Sequence, residues 1–478
     1  MPVKILILGG GQVGSSVVEN LCGDANDITV VDLDADLLKA LQDRYDIQTI
    51  AGNAAHPSVL EAAGADDTDM LLALTRDDET NLIACKLAGT LFNIPTKIAR
   101  VRAADYVEYK NGSVLEQFTV DTSICPEQIV TDNLYDLFSF PGALQVLEFA
   151  GGRVRLVVVN AHEGGQLVGK PLRQISDDLP ESECRICAIY RRDRLVIPDG
   201  STVIEPDDEV FFVADTEHIR DILQELRASE RPIRRAMIAG GGNIGYRLAR
   251  KLETGYEVKI IEGRQERAEF IANELDNTLV LLGDATDEEL LEQENIGELD
   301  LFLAVTNDDE DNIMAGSLAK RLGSKRVVAL INRRAYADMI EGGPIDIGIS
   351  PAQVSIGTLL AHVRHGDVAE VHSLRRGAAE ALELVAHGDA KTSKIVGKRI
   401  GDIDWPHGVT VAALVRNFDR AVVIGHTDDW TAITRHGEVV IAHHDTVIQP
   451  EDHVIVFCTR KKLVKKVEKL FQVGFHFL

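Results

Sequence analysis

Apolar runs and amphipathic stretches alternate along the chain. Lys4-Ile5-Leu6-Ile7-Leu8 and Ile28-Thr29-Val30-Val31 are continuous in hydrophobicity and read as strands buried on both faces. Leu37, Leu38 and Leu41 recur at helical spacing and predict a short amphipathic helix. Gln48–Ala51 reads as a third strand, ending in Gly52-Asn53, and Pro57 opens the next helix, where its missing N–H costs nothing. Residues 70–74 form a fourth buried strand. The turn Thr75-Arg76-Asp77-Asp78-Glu79-Thr80-Asn81 leads into a helix carrying Leu82, Ile83 and Leu87, and 97–101 is a fifth strand. Regular alternation of strand and helix predicts an α/β domain with a doubly wound parallel sheet.

The same pattern returns 231 residues later. Gly9, Gly11 and Gly14 become Gly240, Gly242 and Gly245. Gly52-Asn53 becomes Gly283-Asp284, and Thr75, Asp77, Asp78, Glu79 and Asn81 become Thr306, Asp308, Asp309, Glu310 and Asn312. Asp32 maps onto Glu262 with a slip of one residue, and Asp121-x-x-Ile124-x-Pro126-x-Gln128 recurs as Asp346-x-x-Ile349-x-Pro351-x-Gln353. The intervening segments repeat as well. Residues 199–213 read as a turn and two short strands, and 444–457 match them. So many matches at nearly constant spacing indicate tandem duplication. The expected order is A1-B1-A2-B2, two parallel-sheet domains each followed by a smaller α+β module. Boundaries fall near Phe140-Pro141-Gly142, Glu230-Arg231-Pro232 and Arg375-Arg376-Gly377, with helices at 126–138 and 351–364 bridging A to B.

Both A copies carry a glycine-rich loop after the first strand. In Gly9-Gly10-Gly11-Gln12-Val13-Gly14, Gly9 allows the tight turn, Gly11 the approach of a pyrophosphate, and Gly14 close packing of helix on sheet. The helix N-terminus then offers free N–H groups to phosphate. Asp32 lies 18 residues beyond Gly14, close to the spacing of a ribose-binding acid. With Gly240-Gly241-Gly242-Asn243-Ile244-Gly245 and Glu262, this predicts two adenine nucleotide or dinucleotide clefts. The alternative is a fold that keeps its glycines for packing. An acid there repels a 2′-phosphate, so NAD is favoured over NADP. Arg264 leaves that preference open in the second copy. The Thr75–Asn81 turn and its copy sit where a loop can touch the nucleotide, or are helix N-termini whose acids the dipole favours.

Charge and composition exclude other classes. Fifty basic against 76 acidic residues give a net charge of −26, which argues against a partner that is nucleic acid or anionic lipid. The first strand starts at once, and no run approaches the roughly 18 apolar residues needed to cross a bilayer, so a cytosolic or peripheral protein is expected. Cys184-Arg185-Ile186-Cys187 lies in an expected strand with no second pair to complete a zinc site. His362, His365, His372, His443 and His444 have no histidine counterparts in the first half and read as surface or satisfied side chains, so no metal is expected. Tyr106 and Lys110 fit the Y-x-x-x-K of short-chain dehydrogenases, but the copy at 336–340 lacks the lysine. The basic segment 460–471 reads as a closing helix, since Leu463, Val467 and Leu470 match Ile219, Leu223 and Leu226.

The chain resembles the RCK (KTN) regulators of bacterial potassium uptake over nearly its whole length. The resemblance is carried by 7–14, Asp27–Asp32, Pro141-Gly142-Ala143-Leu144-Gln145-Val146, 240–245, 345–351 and Ser373-Leu374-Arg375-Arg376-Gly377. It implies Rossmann-like N-terminal RCK domains at 1–140 and 231–370, each with its crossover helix, and C-terminal RCK domains at 141–230 and 371–478. It implies a peripheral subunit on the cytoplasmic face of a Trk-type potassium channel or transporter, a homo-oligomeric, tetrameric ring, and NAD(H), ATP or ADP in the clefts. Carried over by position, Gly9, Gly11, Gln12, Val13, Gly14, Asp32, Asn53, Thr75 and Arg100 line the first cleft. Gly240, Gly242, Asn243, Ile244, Gly245, Glu262, Asp284 and Thr306 line the second, where Leu330 replaces the phosphate-contacting Arg100. Residues 426–439 have no counterpart in B1.

A regulator is expected rather than an enzyme. An NAD-dependent oxidoreductase needs a substrate domain and a proton-transfer group near the nicotinamide. Here half the chain copies the other half, and no such group outside the nucleotide loops is duplicated. A transcriptional regulator is disfavoured by the charge and by the lack of a helix-turn-helix pattern.

Overall fold

The computed structural model describes residues 3–22, 26–107, 114–174, 184–227, 232–340, 343–363, 368–375, 378–418 and 437–473. It divides into two compact units. The first comprises 1–130 with 330–339 and 349–359, and the second 131–329, 340–348 and 360–478.

The opening sheet contains β1 (Lys4–Leu8), β2 (Asp27–Asp32), β3 (Gln48–Ala51), β4 (Met70–Ala73), β5 (Thr96–Arg100) and β6 (Thr122–Ile124). Its order is β3-β2-β1-β4-β5-β6, and every pair is parallel. The chain reverses direction across the sheet between β1 and β4, the switch point outside whose carboxyl ends such sheets bind ligands. Ile5, Leu6, Ile7 and Leu8 are all buried, which explains the unbroken apolar run. The helices between the strands start on local signals. Asp34 caps Ala35–Gln42 by accepting from the N–H groups of Asp36 and Leu37, Pro57 is the first residue of Pro57–Ala62, and Asp77 caps Asp78–Thr90.

The duplicate sheet contains β12 (Arg235–Ala239), β13 (Glu257–Glu262), β14 (Thr278–Leu282), β15 (Leu301–Ala304), β16 (Val327–Leu330) and β17 (Ile347–Ile349) in the same order. Helices Pro126–Ser139 and Pro351–Val363 follow the last strand of each copy.

Between and after these lie two antiparallel sheets. One is β10-β9-β11-β8-β7, from β7 (Ala143–Phe149), β8 (Val154–Asn160), β9 (Cys184–Arg191), β10 (Arg194–Val196) and β11 (Glu209–Asp215). The other is β18-β19-β22-β20-β21, from β18 (Val368–Leu374), β19 (Ala379–Val385), β20 (Val409–Arg416), β21 (Glu438–Ile441) and β22 (His453–Cys458). The expected pair of short strands at 199–213 is one strand, β11. Val203 and Ile204 form only isolated bridges, to Pro171 and Val168, because Pro206 and the turn after it interrupt the ladder. The hairpins β7–β8 and β18–β19 add two antiparallel strands to each module beyond those the sequence predicts.

The two small sheets share one core. Phe149, Leu156 and Phe211 of the first cluster with Leu374, Ala413 and Phe457 of the second, and the Phe211 and Phe457 rings are 5.7 Å apart. Burial of each such ring is worth about 2–3 kcal/mol. The C-terminal helix Val464–Phe471 buries Val464, Val467 and Phe471, as a closing helix should. Among the described residues, no helix is long and apolar enough to cross a membrane.

Candidate functional site

The first candidate cleft lies where β1 ends. Gly9 sits at φ +100°, and a Cβ there would lie 2.9 Å from the Leu74 carbonyl oxygen. A Cβ on Gly14 would fall 1.9 Å from the Gly9 oxygen. Both positions therefore admit glycine alone. At Gly11 an added Cβ would meet nothing within 4 Å, so the space above the loop is open. Helix Gln12–Leu21 begins there without a side-chain cap and without an acid in its first turn. Its leading amide N–H groups are left to an anion. Gln12 is exposed at the rim and Val13 is packed beneath it.

Asp32, at the end of β2, accepts from the Gly10 N–H through Oδ2 at 2.7 Å and from the Asp34 N–H through Oδ1 at 2.9 Å. Thr75 abuts the loop, its Cα within 3.0 Å of where a Gly9 Cβ would stand. Its hydroxyl is turned inward and donates to Asn81 Oδ1 at 2.7 Å. Asn53 accepts from the Ala55 N–H at 2.9 Å, closing an Asx turn. The glycine loop and the Thr75 turn are thus brought together at the strand ends. Arg100 is different. Its backbone carbonyl joins the network, accepting from Asn81 Nδ2 at 2.9 Å, while its guanidinium is paired with Glu127 at 2.7 Å and largely buried.

The second cleft repeats this. Gly240 has φ +110°, a Gly245 Cβ would lie 1.9 Å from the Gly240 oxygen, and Gly242 faces open space. Asn243 is exposed and Ile244 half-buried at the start of an uncapped helix, Asn243–Leu252. Glu262 accepts from the Gly241 N–H at 2.9 Å, and Thr306 donates its hydroxyl to Asn312 Oδ1 at 2.7 Å. The N–H and hydroxyl of Thr286 bond to Asp284 and hold its carboxyl below the usual range.

Two members of the Thr75–Asn81 turn hold backbone, a role that neither reading of the turn assigned them. Asn81 is fully buried and clamps the turn: Oδ1 accepts from both the N–H and the hydroxyl of Thr75, and Nδ2 donates to the carbonyls of Thr75 and Arg100. Buried Asp78 accepts from the N–H groups of Arg102 and Ala103 and pairs with the Arg102 guanidinium. The only signal in the sequence was recurrence of both positions, as Asn312 and Asp309.

The other candidate chemistry is not assembled among the described residues. Tyr106 donates to Glu79 at 3.0 Å, which raises its phenol pKa, the wrong direction for a catalytic tyrosine, and Lys110 lies outside the described residues. Burial pushes the Cys184 and Cys187 thiols up to about 12. His372 contacts the Glu148 carbonyl oxygen at 2.9 Å and packs edge-on against Phe149. Among the described residues, no group of three or more His, Cys, Asp and Glu could hold a metal ion. His365 and most of 426–439 lie outside them.

The TrkA-N domain family matches residues 5–126 and again 236–351, and the TrkA-C domain family matches 156–227. The chain is 53% identical to the Trk system potassium uptake protein TrkA of Halomonas elongata, over 99% of this chain and 100% of that one. It is 50% identical to the protein of the same name from Vibrio alginolyticus, over the full length of both. Among solved structures it is similar to the GsuK channel, with TM-score 0.61, 20% identity, 98% of this chain and 79% of that chain. It is also similar to the GsuK channel bound to NAD, with TM-score 0.60, 17% identity and the same coverage. At these identities the likeness is one of fold.

Proposed function

The chain belongs to the TrkA family of Trk system potassium uptake proteins, and from that premise we propose that it is the nucleotide-responsive regulatory subunit of such a system. In this reading it sits on the cytoplasmic face of a membrane potassium channel or transporter, as part of a tetrameric ring. NAD(H), or ATP and ADP, binds the two clefts and biases the ring between states that open or close the partner. A ligand shifts such an equilibrium only through unequal affinity for the two states.

One observation carries the reading. The same cleft is built twice in one chain, with an uncapped helix N-terminus, open space at Gly11 and Gly242, and an acid and a threonine turn at the adjoining strand ends. In this reading the loop residues Gly9 to Gly14 and Gly240 to Gly245 cradle phosphates. Asp32 and Glu262 stand at the ribose ends of the two clefts, and Asn53, Asp284, Thr75 and Thr306 shape the walls. Arg100 reaches phosphate only by leaving Glu127. An oxidoreductase gains no support from the relatives, which are named as potassium uptake proteins.

The test is calorimetric titration of the intact chain with NAD, NADH, ATP and ADP, beside Gly11→Asp and Gly242→Asp. Aspartate is well accepted at a helix N-cap, so these variants should fold while placing a carboxylate where the phosphate would lie. Loss of one site per variant, with changed potassium flux through a reconstituted Trk-type membrane subunit, is the expected result. Absence of binding by every nucleotide would sink the reading.

A further inference from the structure

The two clefts differ at their ribose ends. In the first, Asp34 follows two residues after Asp32, and its side chain caps helix Ala35–Gln42. In the second, Arg264 stands in the place of Asp34, and its side chain makes no cap bond to helix Gln265–Glu274. The same 230-residue spacing sets Arg267 where the first copy has Leu37. Arg267 Nε donates to the Gly241 carbonyl oxygen at 2.8 Å, and its guanidinium lies 5.4 and 4.9 Å from the Tyr246 and Phe270 ring centroids. Asp34 to Arg264 and Leu37 to Arg267 change the rim by three charge units.

The acid itself is also neutralised. The buried Glu262 carboxylate accepts from the N–H groups of Gly241 and Arg264, and Arg264 Nε lies 3.3 Å from its Oε1. The Arg264 side chain is nevertheless 76% exposed, so its remaining donors face outward. A phosphate on the ribose would meet two carboxylates at the first rim. At the second it would meet a compensated carboxylate and two guanidinium groups, whose planar forks suit phosphate oxygens.

We propose that the second cleft prefers an adenine dinucleotide phosphorylated on its adenosine 2′-hydroxyl, the NADP class, while the first prefers the unphosphorylated form. This rests on the reading of both clefts as nucleotide sites. Arg264 contacts the 2′-phosphate, and Arg267, fixed against the loop and the two rings, adds to the field behind it. Glu262 holds the glycine loop rather than two ribose hydroxyls. The chain thereby reads two cofactor pools through separate clefts.

The experiment is calorimetric titration of the full chain with NADP and, separately, NAD, repeated on Gly11→Asp, Gly242→Asp, Arg264→Asp and Arg264→Lys. NADP should fill one site per chain, survive Gly11→Asp and be lost in Gly242→Asp. Arg264→Asp should weaken NADP about tenfold or more. It should move NAD at the same cleft by less than about threefold, as expected for an exposed charge. Arg264→Lys should fall between, keeping charge without the fork. A merely structural arginine would shift both ligands alike. If the second cleft binds NAD as well as NADP and Arg264→Asp treats them equally, the proposal is overturned and the cleft reading stands. If Gly242→Asp abolishes no binding of either ligand, both fall.

Discussion

The backbone N–H of Gly10 donates to Oδ2 of Asp32 at 2.7 Å. The carboxylate therefore ties the glycine loop to the end of β2, and in the proposed function it also stands at the ribose end of the cleft. Asp32→Ala should loosen the loop and remove the ribose acceptor together. Nucleotide affinity at the first cleft should fall about tenfold or more. Calorimetry in a Gly242→Asp background isolates that cleft, and unchanged affinity would refute the assignment.

Asn81 is buried and serves both backbone groups of Thr75. Asn81→Ala would strand the N–H of Thr75 and the carbonyl of Arg100, at about 1–3 kcal/mol for each buried group left unpaired. Scanning calorimetry should show an earlier transition for the unit that contains it, and Asn312→Ala should do the same for the second. Equal melting of wild type and Asn81→Ala would show that the clamp is dispensable.

The parallel sheets were legible because each strand is a buried apolar run and each helix opens on its own local signal, as at Asp34, Pro57 and Asp77. Duplication then doubled every signal. The small modules were less legible. Their hairpins turn at Ala150 and Arg375, both at φ 46°, and although Gly151 and Gly152 share the first turn, neither Ala nor Arg announces such a conformation. The glycines, Asp32 and Glu262 were legible as neighbours at one loop because their spacing sets them at adjoining strand ends. The Arg100–Glu127 pair was not, since nothing in the sequence says which of two partners, phosphate or carboxylate, a strand-end arginine will take.

Asp136 offers a pH test. Burial raises its pKa from 3.8 to about 6, against the opposing pull of Arg155, 2.9 Å away, while Glu148 adds repulsion and Lys251 a weaker attraction. The folded chain holds this proton more tightly than the unfolded chain. Stability from this group is complete below the unfolded pKa and is lost as pH rises through about 6. Asp136→Asn should flatten the stability profile between pH 4 and 7 by at most about 3 kcal/mol. Urea midpoints at pH 5 and 7.5 measure this, and the same pH difference in both proteins would contradict it.

Glu383 joins the two small modules. Its carboxylate is buried, with Oε2 accepting the Ala150 N–H at 2.7 Å and Oε1 lying 2.5 Å from His453 Nδ1. Ala150 belongs to the β7–β8 turn, whereas Glu383 and His453 belong to β19 and β22, so the bond crosses between the sheets that share a core. At the matching turn of the second module, Arg375 reaches back to Glu209 and Asp193. Glu383→Gln keeps an acceptor for Ala150 and should cost little more than the charge. Glu383→Ala strands a buried N–H and should cost about 1.5–3 kcal/mol. Because the paired turns hold one module against the other, that loss should appear as earlier unfolding of the shared core. Tryptophan fluorescence in a Trp430→Phe background, where Trp405 is the sole emitter and its ring packs 6.4 Å from Phe471 in the second module, follows that event. Denaturation midpoints that rank wild type and Gln together above Ala support an inter-module bond, and three equal midpoints would leave the shared apolar core as the whole of the joint.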